Sequence, residues 1–210
     1  MNRNVHGTGH ISPVKSSDVK PIRGGHPTGR ISKQQWLEAA LDALVAGGVE
    51  AVRIVDIAKT LKISKSGFYW HFKGRKDLMD EMKRYWMEEF SQQIISETLH
   101  SNAPIFEKMS QLVRMIRERG AGKYDLAFTS WAVHDPSIRK LVDDVRDMRI
   151  AFVKKLLALE GYTGDDLEAR ARLFVVYFSW SEVMFKKTET CLEGEPLDEV
   201  MRLISDPRAR

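Results

Sequence analysis

The stretch Ile63–Leu78, ISKSGFYWHFKGRKDL, sets five consecutive rings, Phe68, Tyr69, Trp70, His71 and Phe72, among hydroxyls and cations. On a helix capped by Ser64, Phe68 and Phe72 share one face, while Lys65, Tyr69 and Lys73 form a second row with Ser66 and Trp70 alongside. The first face can bury itself, with Gly67 expected to permit close approach of a neighbour. The second offers a cation, a hydroxyl, a phenol and an indole to water, where large aromatics gain little unless something docks on them. The chemistry this surface can perform is recognition of a polyanion. Ser64, Tyr69 and His71 can donate to phosphate oxygens; Lys65, Ser66 and Trp70 lie nearest to base edges or thymine methyls; Lys76, in the first turn of the next helix, can hold the phosphate backbone. Periodicity alone also fits a bland alternative, a small helical core with two amphipathic rings at its surface.

Positioning such a face requires a preceding helix and a tight turn. Order is expected to begin at ISKQQWLEAALDALVAGG, where Ser32 and Gln35 fit a capping box and Ile31 and Trp36 a hydrophobic staple. Gly47 and Gly48 then stop the helix. Ile54, Ile57, Ala58 and Leu61 mark a short second helix, and a turn at Lys62–Ile63 leads to the ring-rich third. Two helices joined this way match a helix-turn-helix, whose second helix enters the major groove. Leu78, Met82, Trp86, Phe90 and Ile94, four apart, predict one long amphipathic helix. Pro104, the glycines at 120 and 122, Asp135–Pro136, Thr163 and Pro196 punctuate the remainder. No segment alternates with a period of two over strand length. The fold class expected is all-α, with about nine helices.

Charge is unevenly placed: residues 1–84 hold 15 Lys and Arg against 8 Asp and Glu, and the remainder is mildly acidic. A basic first part suits a nucleic-acid partner. Residues 1–29, with five Gly, three Pro and few bulky apolar side chains, read as a disordered basic arm, and Arg30 beside the fold is its nearest phosphate contact. The lone Cys191 excludes an intrachain disulfide and a thiolate cluster. No apolar run approaches the length of a membrane span, and nothing resembles a signal peptide, so a reduced cytosol is the expected compartment.

The spacing I-A-x-x-x-x-I-S-x-S-x-x-Y-x-H-F-x-x-x-K-x-x-L, carried by Ile57, Ala58, Ile63, Ser64, Ser66, Tyr69, His71, Phe72, Lys76 and Leu78, resembles the signature of the tetracycline-repressor (TetR) family. The resemblance is specific over residues 31–80 and looser to residue 205; WAVHDPSIRKLV, Trp131–Val142, resembles a stretch common in one branch. Two departures stand out. Arg53 replaces the usual Ser or Thr cap of the second helix and is placed to reach a phosphate, and Lys62 replaces the usual turn glycine, where a left-handed residue carries strain.

The resemblance implies a homodimeric, bacterial and cytoplasmic transcription regulator, mostly of the repressor kind, that binds a palindromic double-stranded DNA operator. It implies a helix-turn-helix domain over 30–75 and a helical domain over 76–210 that dimerises and binds a small effector, without cofactor or metal. Pocket candidates among the middle helices are Trp86, Phe90, Phe106, Met109, Phe128, Trp131, His134 and Tyr177, each of which also reads as core; they make the effector rather apolar. The segment Ala171–Phe185 is apolar nearly all round. Its Phe174, Phe178, Ser181 and Phe185, with Leu197, Val200, Met201 and Ile204 of the last helix, are the dimer-interface candidates; a central helix buried within a monomer fits the same pattern. Rivals from other classes are a helical metal-dependent enzyme, on the single E-x-x-H of Glu97–His100, and a helical adaptor without DNA affinity.

Overall fold

In the computed structural model, residues 31–184 and 195–205 are described, and all the regular structure among them is helical. The expected arm over 1–29, Arg30 and Phe185 lie outside the described residues, as does the side chain of Leu197. The α-helices are α1 (Lys33–Gly47), α2 (Ile54–Thr60), α3 (Arg75–Met87), α4 (Gln93–His100), α5 (Ile105–Glu118), α6 (Ala121–Ala132), α7 (Pro136–Leu159), α8 (Gly164–Met184) and α9 (Glu195–Ser205).

Local chemistry explains most boundaries. Ser32 and Gln35 form the reciprocal capping box at α1, and Gly48, with φ 69°, ends that helix by donating its N–H to the Leu44 carbonyl. Asp135 caps α7 through the Ser137 and Ile138 amides, with Pro136 in the first turn. At α2, Arg53 supplies no side-chain cap.

The turn out of α2 closes as a Schellman motif: Lys62 N–H donates to Lys59 O and Ile63 N–H to Ala58 O, both at 3.0 Å. Lys62 therefore adopts φ 57°, the one left-handed non-glycine among the described residues. Its Cβ penalty exceeds the extra chain entropy a glycine would lose. Lys62→Gly is thus expected to stabilise the fold by about 0.5–1 kcal/mol. A higher urea midpoint at unchanged slope is the expected reading; a lower one would refute the strain.

The long amphipathic helix expected after residue 75 is interrupted. Between α3 and α4 the chain widens into a π-helical turn, Glu88–Gln92. The third helix also differs from expectation. Lys65–Trp70 is a six-residue 3₁₀ helix, and the Ser64 side chain caps nothing there.

Packing forms two cores. One runs from Trp36, Leu41, Phe68 and Phe72 through Leu78, Met82 and Trp86 to Phe128 and Val145, tying the ring-rich segment to α1, α3, α6 and α7. The other gathers Ile94, Met109, Leu112, Phe152, Leu156, Phe174 and Phe178 with Met201 and Ile204 of α9.

Candidate nucleic-acid interface and internal cavity

Phe68 and Phe72 hold the 65–70 segment from beneath. Phe68 is fully buried, stacked on Phe72 at 5.0 Å and edge-on to Trp36 at 5.3 Å. The next two rings point outward: Tyr69 is 58% and Trp70 74% exposed. Lys65, Ser66, Lys73 and Lys76 are exposed as well, so cations flank the two rings along the chain. A surface of this kind can insert flat, hydrogen-bonding groups between phosphates, with ammonium groups at its edge.

Three of the expected contacts are modified by the geometry. The Ser64 hydroxyl is paired with Ser66 Oγ at 2.6 Å rather than with the backbone of a helix start. His71 is half-buried, and its Nε2 lies 2.9 Å from the Ile31 carbonyl. A carbonyl only accepts, so Nε2 carries a proton and donates it to Ile31. Through this bond His71 clips the chain entering α1 to the ring-rich segment. Arg53 is exposed, but its Nε donates to the Glu50 carbonyl at 3.0 Å. The close approach expected at Gly67 is absent, since a Cβ there would meet only Ile63 Cδ1 at an ordinary 3.8 Å.

Arg75 escaped the sequence reading. Its Nε donates to Val52 O at 2.8 Å and its Nη2 to Val49 O at 2.7 Å, fastening α3 to the turn ahead of α2. The signal was a cation in a helix's first turn, where the dipole disfavours it. On the same side, Lys33 pairs with Glu81 at 2.9 Å and holds that carboxyl below its usual range. Burial and then the Glu38 carboxylate push the Tyr85 phenol well above its own.

Farther from this face, a cavity of about 40 Å³ is lined by Phe90, Ser91, Ile94 and Ile95, by Leu112 and Ile116, and by apolar groups of α7 and α8. Asp125 and Arg149 form its charged wall. The guanidinium engages the carboxylate at both oxygens, Nη1–Oδ2 2.6 Å and Nη2–Oδ1 3.1 Å, and donates from Nε to Ser91 Oγ at 2.8 Å and from Nη2 to Phe90 O at 3.2 Å. The Trp86 indole N–H donates to Asp125 Oδ1 at 3.0 Å. A second void of about 140 Å³ lies across the same pair, lined by Trp86, Val145 and Trp180 among others. Neither charge was singled out from sequence, though each interrupts an apolar stripe: Asp125 between Ala121 and Phe128, Arg149 between Val145 and Phe152.

Of the eight pocket candidates, Phe90 lines the first cavity and Trp86 the second. Trp86 and Phe128 stack on each other at 4.1 Å, and Met109 is fully buried core. Phe106 is exposed at the start of α5. Trp131 and His134 border an outer groove of about 620 Å³ against the α1 terminus, with His134 exposed. Tyr177 packs edge-on to Phe178 at 4.9 Å. Helical periodicity finds apolar faces, and most such faces meet another helix rather than a void.

The interface candidates pack otherwise than expected. Phe174, Phe178, Met201 and Ile204 are buried within the subunit, where α8 meets α7 and α9, and Ser181 is buried too. Val200 is half-buried. The exposed apolar stripe of α8 is Leu173, Val176 and Met184, and α9 exposes Leu203.

The E-x-x-H pair is spent on structure. Glu97 accepts from Arg119 Nη2 at 2.7 Å, which lowers its pKa, and His100 Nδ1 meets the Ser96 carbonyl at 2.7 Å. Among the described residues, no three His, Cys, Asp or Glu stand where they could hold a metal ion. No helix among them is long and apolar enough to cross a membrane.

Residues 37–82 match the bacterial regulatory proteins of the tetR family. No curated protein matches the chain significantly. Among solved structures, the chain is similar to a TetR transcriptional regulator from Legionella pneumophila, at 17% identity and TM-score 0.63 over 83% of this chain and 95% of that one. It is also similar to the regulatory protein TetR from Rhodobacter sphaeroides, at 18% identity and TM-score 0.61 over 82% and 96%. AibR, in complex with isovaleryl coenzyme A and operator DNA, matches at 19% identity and TM-score 0.62 over 82% and 97%. At these identities the likeness is one of fold.

Proposed function

We propose that this chain, whose residues 37–82 match the bacterial regulatory proteins of the tetR family, is a dimeric, cytoplasmic repressor that binds a palindromic DNA operator and releases it when a small effector enters the C-terminal helices. The observation that carries this reading is the orientation of the 65–70 segment, with Phe68 and Phe72 sunk in the core, Tyr69 and Trp70 held outward, and lysines flanking them along the chain. A fold neighbour, AibR, holds operator DNA and an acyl thioester together, which supports an effector role for the helical part. No catalytic constellation is assigned.

One recognition segment reads too few base pairs for genomic specificity, so two copies must span adjacent major grooves, roughly 34–36 Å apart. The stripe of Leu173, Val176 and Met184 is the surface we assign to that pairing. Val176→Arg is expected to give a monomer in sedimentation and to abolish operator binding. A dimer that persists would move the interface elsewhere.

The effector signal would travel through the π turn at 88–92. Its wider winding frees carbonyls, and two distant arginines take them: Arg119, just past α5, donates to Glu89 O at 2.8 Å and Arg149 of α7 to Phe90 O at 3.2 Å. The same turn walls the cavity and continues directly into α3, whose first residue Arg75 grips the helix-turn-helix. A ligand that displaces this wall would alter the winding and so the spacing of the two recognition segments.

Selection of bound duplexes from random DNA tests the function. Enrichment of an inverted repeat is expected; recovery of unselected sequence would favour the adaptor reading.

A further inference from the structure

The charge arrangement of the internal cavity determines which chemical class it can admit. Among the described residues that line it, the polar ones are Ser91, Asp125, Arg149 and Ser179, and the rest are apolar. Arg149 is the one cation among them, and the Asp125 carboxylate already engages it at both oxygens. A second anion would face Asp125 in a site largely cut off from water, with no further cation to compensate it. What the pair leaves over is donor capacity. Four of the five guanidinium N–H groups are used, by Asp125 twice, Phe90 O and Ser91 Oγ, and the Ser91 hydroxyl, having accepted from Arg149, still has its own proton to give.

We propose that this cavity takes a neutral, mainly apolar molecule bearing one acceptor oxygen, such as a short-chain ketone or ester, and discriminates against the carboxylate of the same shape. The inference rests on the effector role proposed for the cavity and assigns the ligand's chemical class. The acceptor oxygen receives the Ser91 O–H; the chain lies against Ile94, Leu112, Phe152 and Phe174. A volume of about 40 Å³ has room for only a few waters, so entry must push back the Phe90–Ile95 wall, which favours a short chain.

Methyl pentyl ketone and hexanoate have the same shape and differ in charge, a methyl group standing where the second carboxylate oxygen would be. Isothermal titration of the full chain, free of DNA, is expected to show the ketone bound at least about ten-fold more tightly than hexanoate. Asp125→Asn, which leaves Arg149 without its counter-charge, is expected to invert the order, hexanoate now binding better and raising the melting temperature. Ile95→Trp, at the half-buried rim, is expected to abolish ketone binding. Equal or tighter binding of hexanoate by the unaltered protein, binding of neither compound, an order unchanged in Asp125→Asn, or ketone binding that survives Ile95→Trp would each overturn the assignment. If Asp125→Asn does not fold, the ketone–hexanoate comparison on the unaltered protein and the Ile95→Trp result still decide. The regulatory reading fails separately: a protein that binds the ketone here yet holds its operator unchanged would lose the effector role and keep the ligand class.

Discussion

Asp125→Ala is expected to lower the free energy of unfolding by about 3–5 kcal/mol, as much as deleting a large core side chain. The carboxylate is 8% exposed and serves three donors: both Nη groups of Arg149 and the indole N–H of Trp86. Its removal leaves a guanidinium 17% exposed without its counter-charge and a buried indole N–H without an acceptor. The surrounding helices cannot close over a cation as they could over an apolar gap. The exposed pair Lys140–Asp144 on α7 provides the control, where Asp144→Ala should change stability by less than about 0.5 kcal/mol because water screens both partners. Urea denaturation of the two variants checks this. A loss below about 1 kcal/mol for Asp125→Ala would mean that Arg149 finds water instead, and that the pair does not organise the cavity wall.

The combined variant Tyr69→Ala, Trp70→Ala is expected to weaken operator binding roughly hundred-fold, at about 1–3 kcal/mol for each recognition side chain lost. Both rings are exposed, so the melting temperature should hardly move, and the loss is one of recognition rather than folding. The salt dependence separates this from simple electrostatics. Lys65→Ala should reduce the slope of log affinity against log salt by about one, whereas the aromatic variant should leave the slope nearly intact. Affinity that survives the aromatic change would place the DNA-reading surface elsewhere on the molecule.

These two predictions differ in how much the sequence disclosed. The outward placement of Tyr69 and Trp70 was legible because it follows from spacing: once Phe68 and Phe72 are committed to the core, the residues between them must turn away. The capping box at Ser32, the Asp135 cap and the left-handed Lys62 were legible for the same reason, each being settled within four or five residues of chain. The 3₁₀ winding of 65–70 was not, since it depends on how deep Phe68 sinks against Trp36, 32 positions earlier. The wider π turn is likewise held by Arg119 and Arg149, which reach it across 30 and 59 positions.

Sequence by itself determined the all-helical fold of the described residues, several of the helix boundaries, and a basic, aromatic segment with one buried and one open face. Those features rest on local hydrogen bonds and on the 3.6-residue period, which act before any distant contact forms. Tertiary structure alone decided which apolar residues enclose a cavity, and that Asp125 and Arg149 meet across its wall. It also decided which side of α8 remains open. An apolar helix has no preferred side until neighbours choose one, and here α7 and α9 took Phe174 and Phe178 and left Leu173 and Val176 outside.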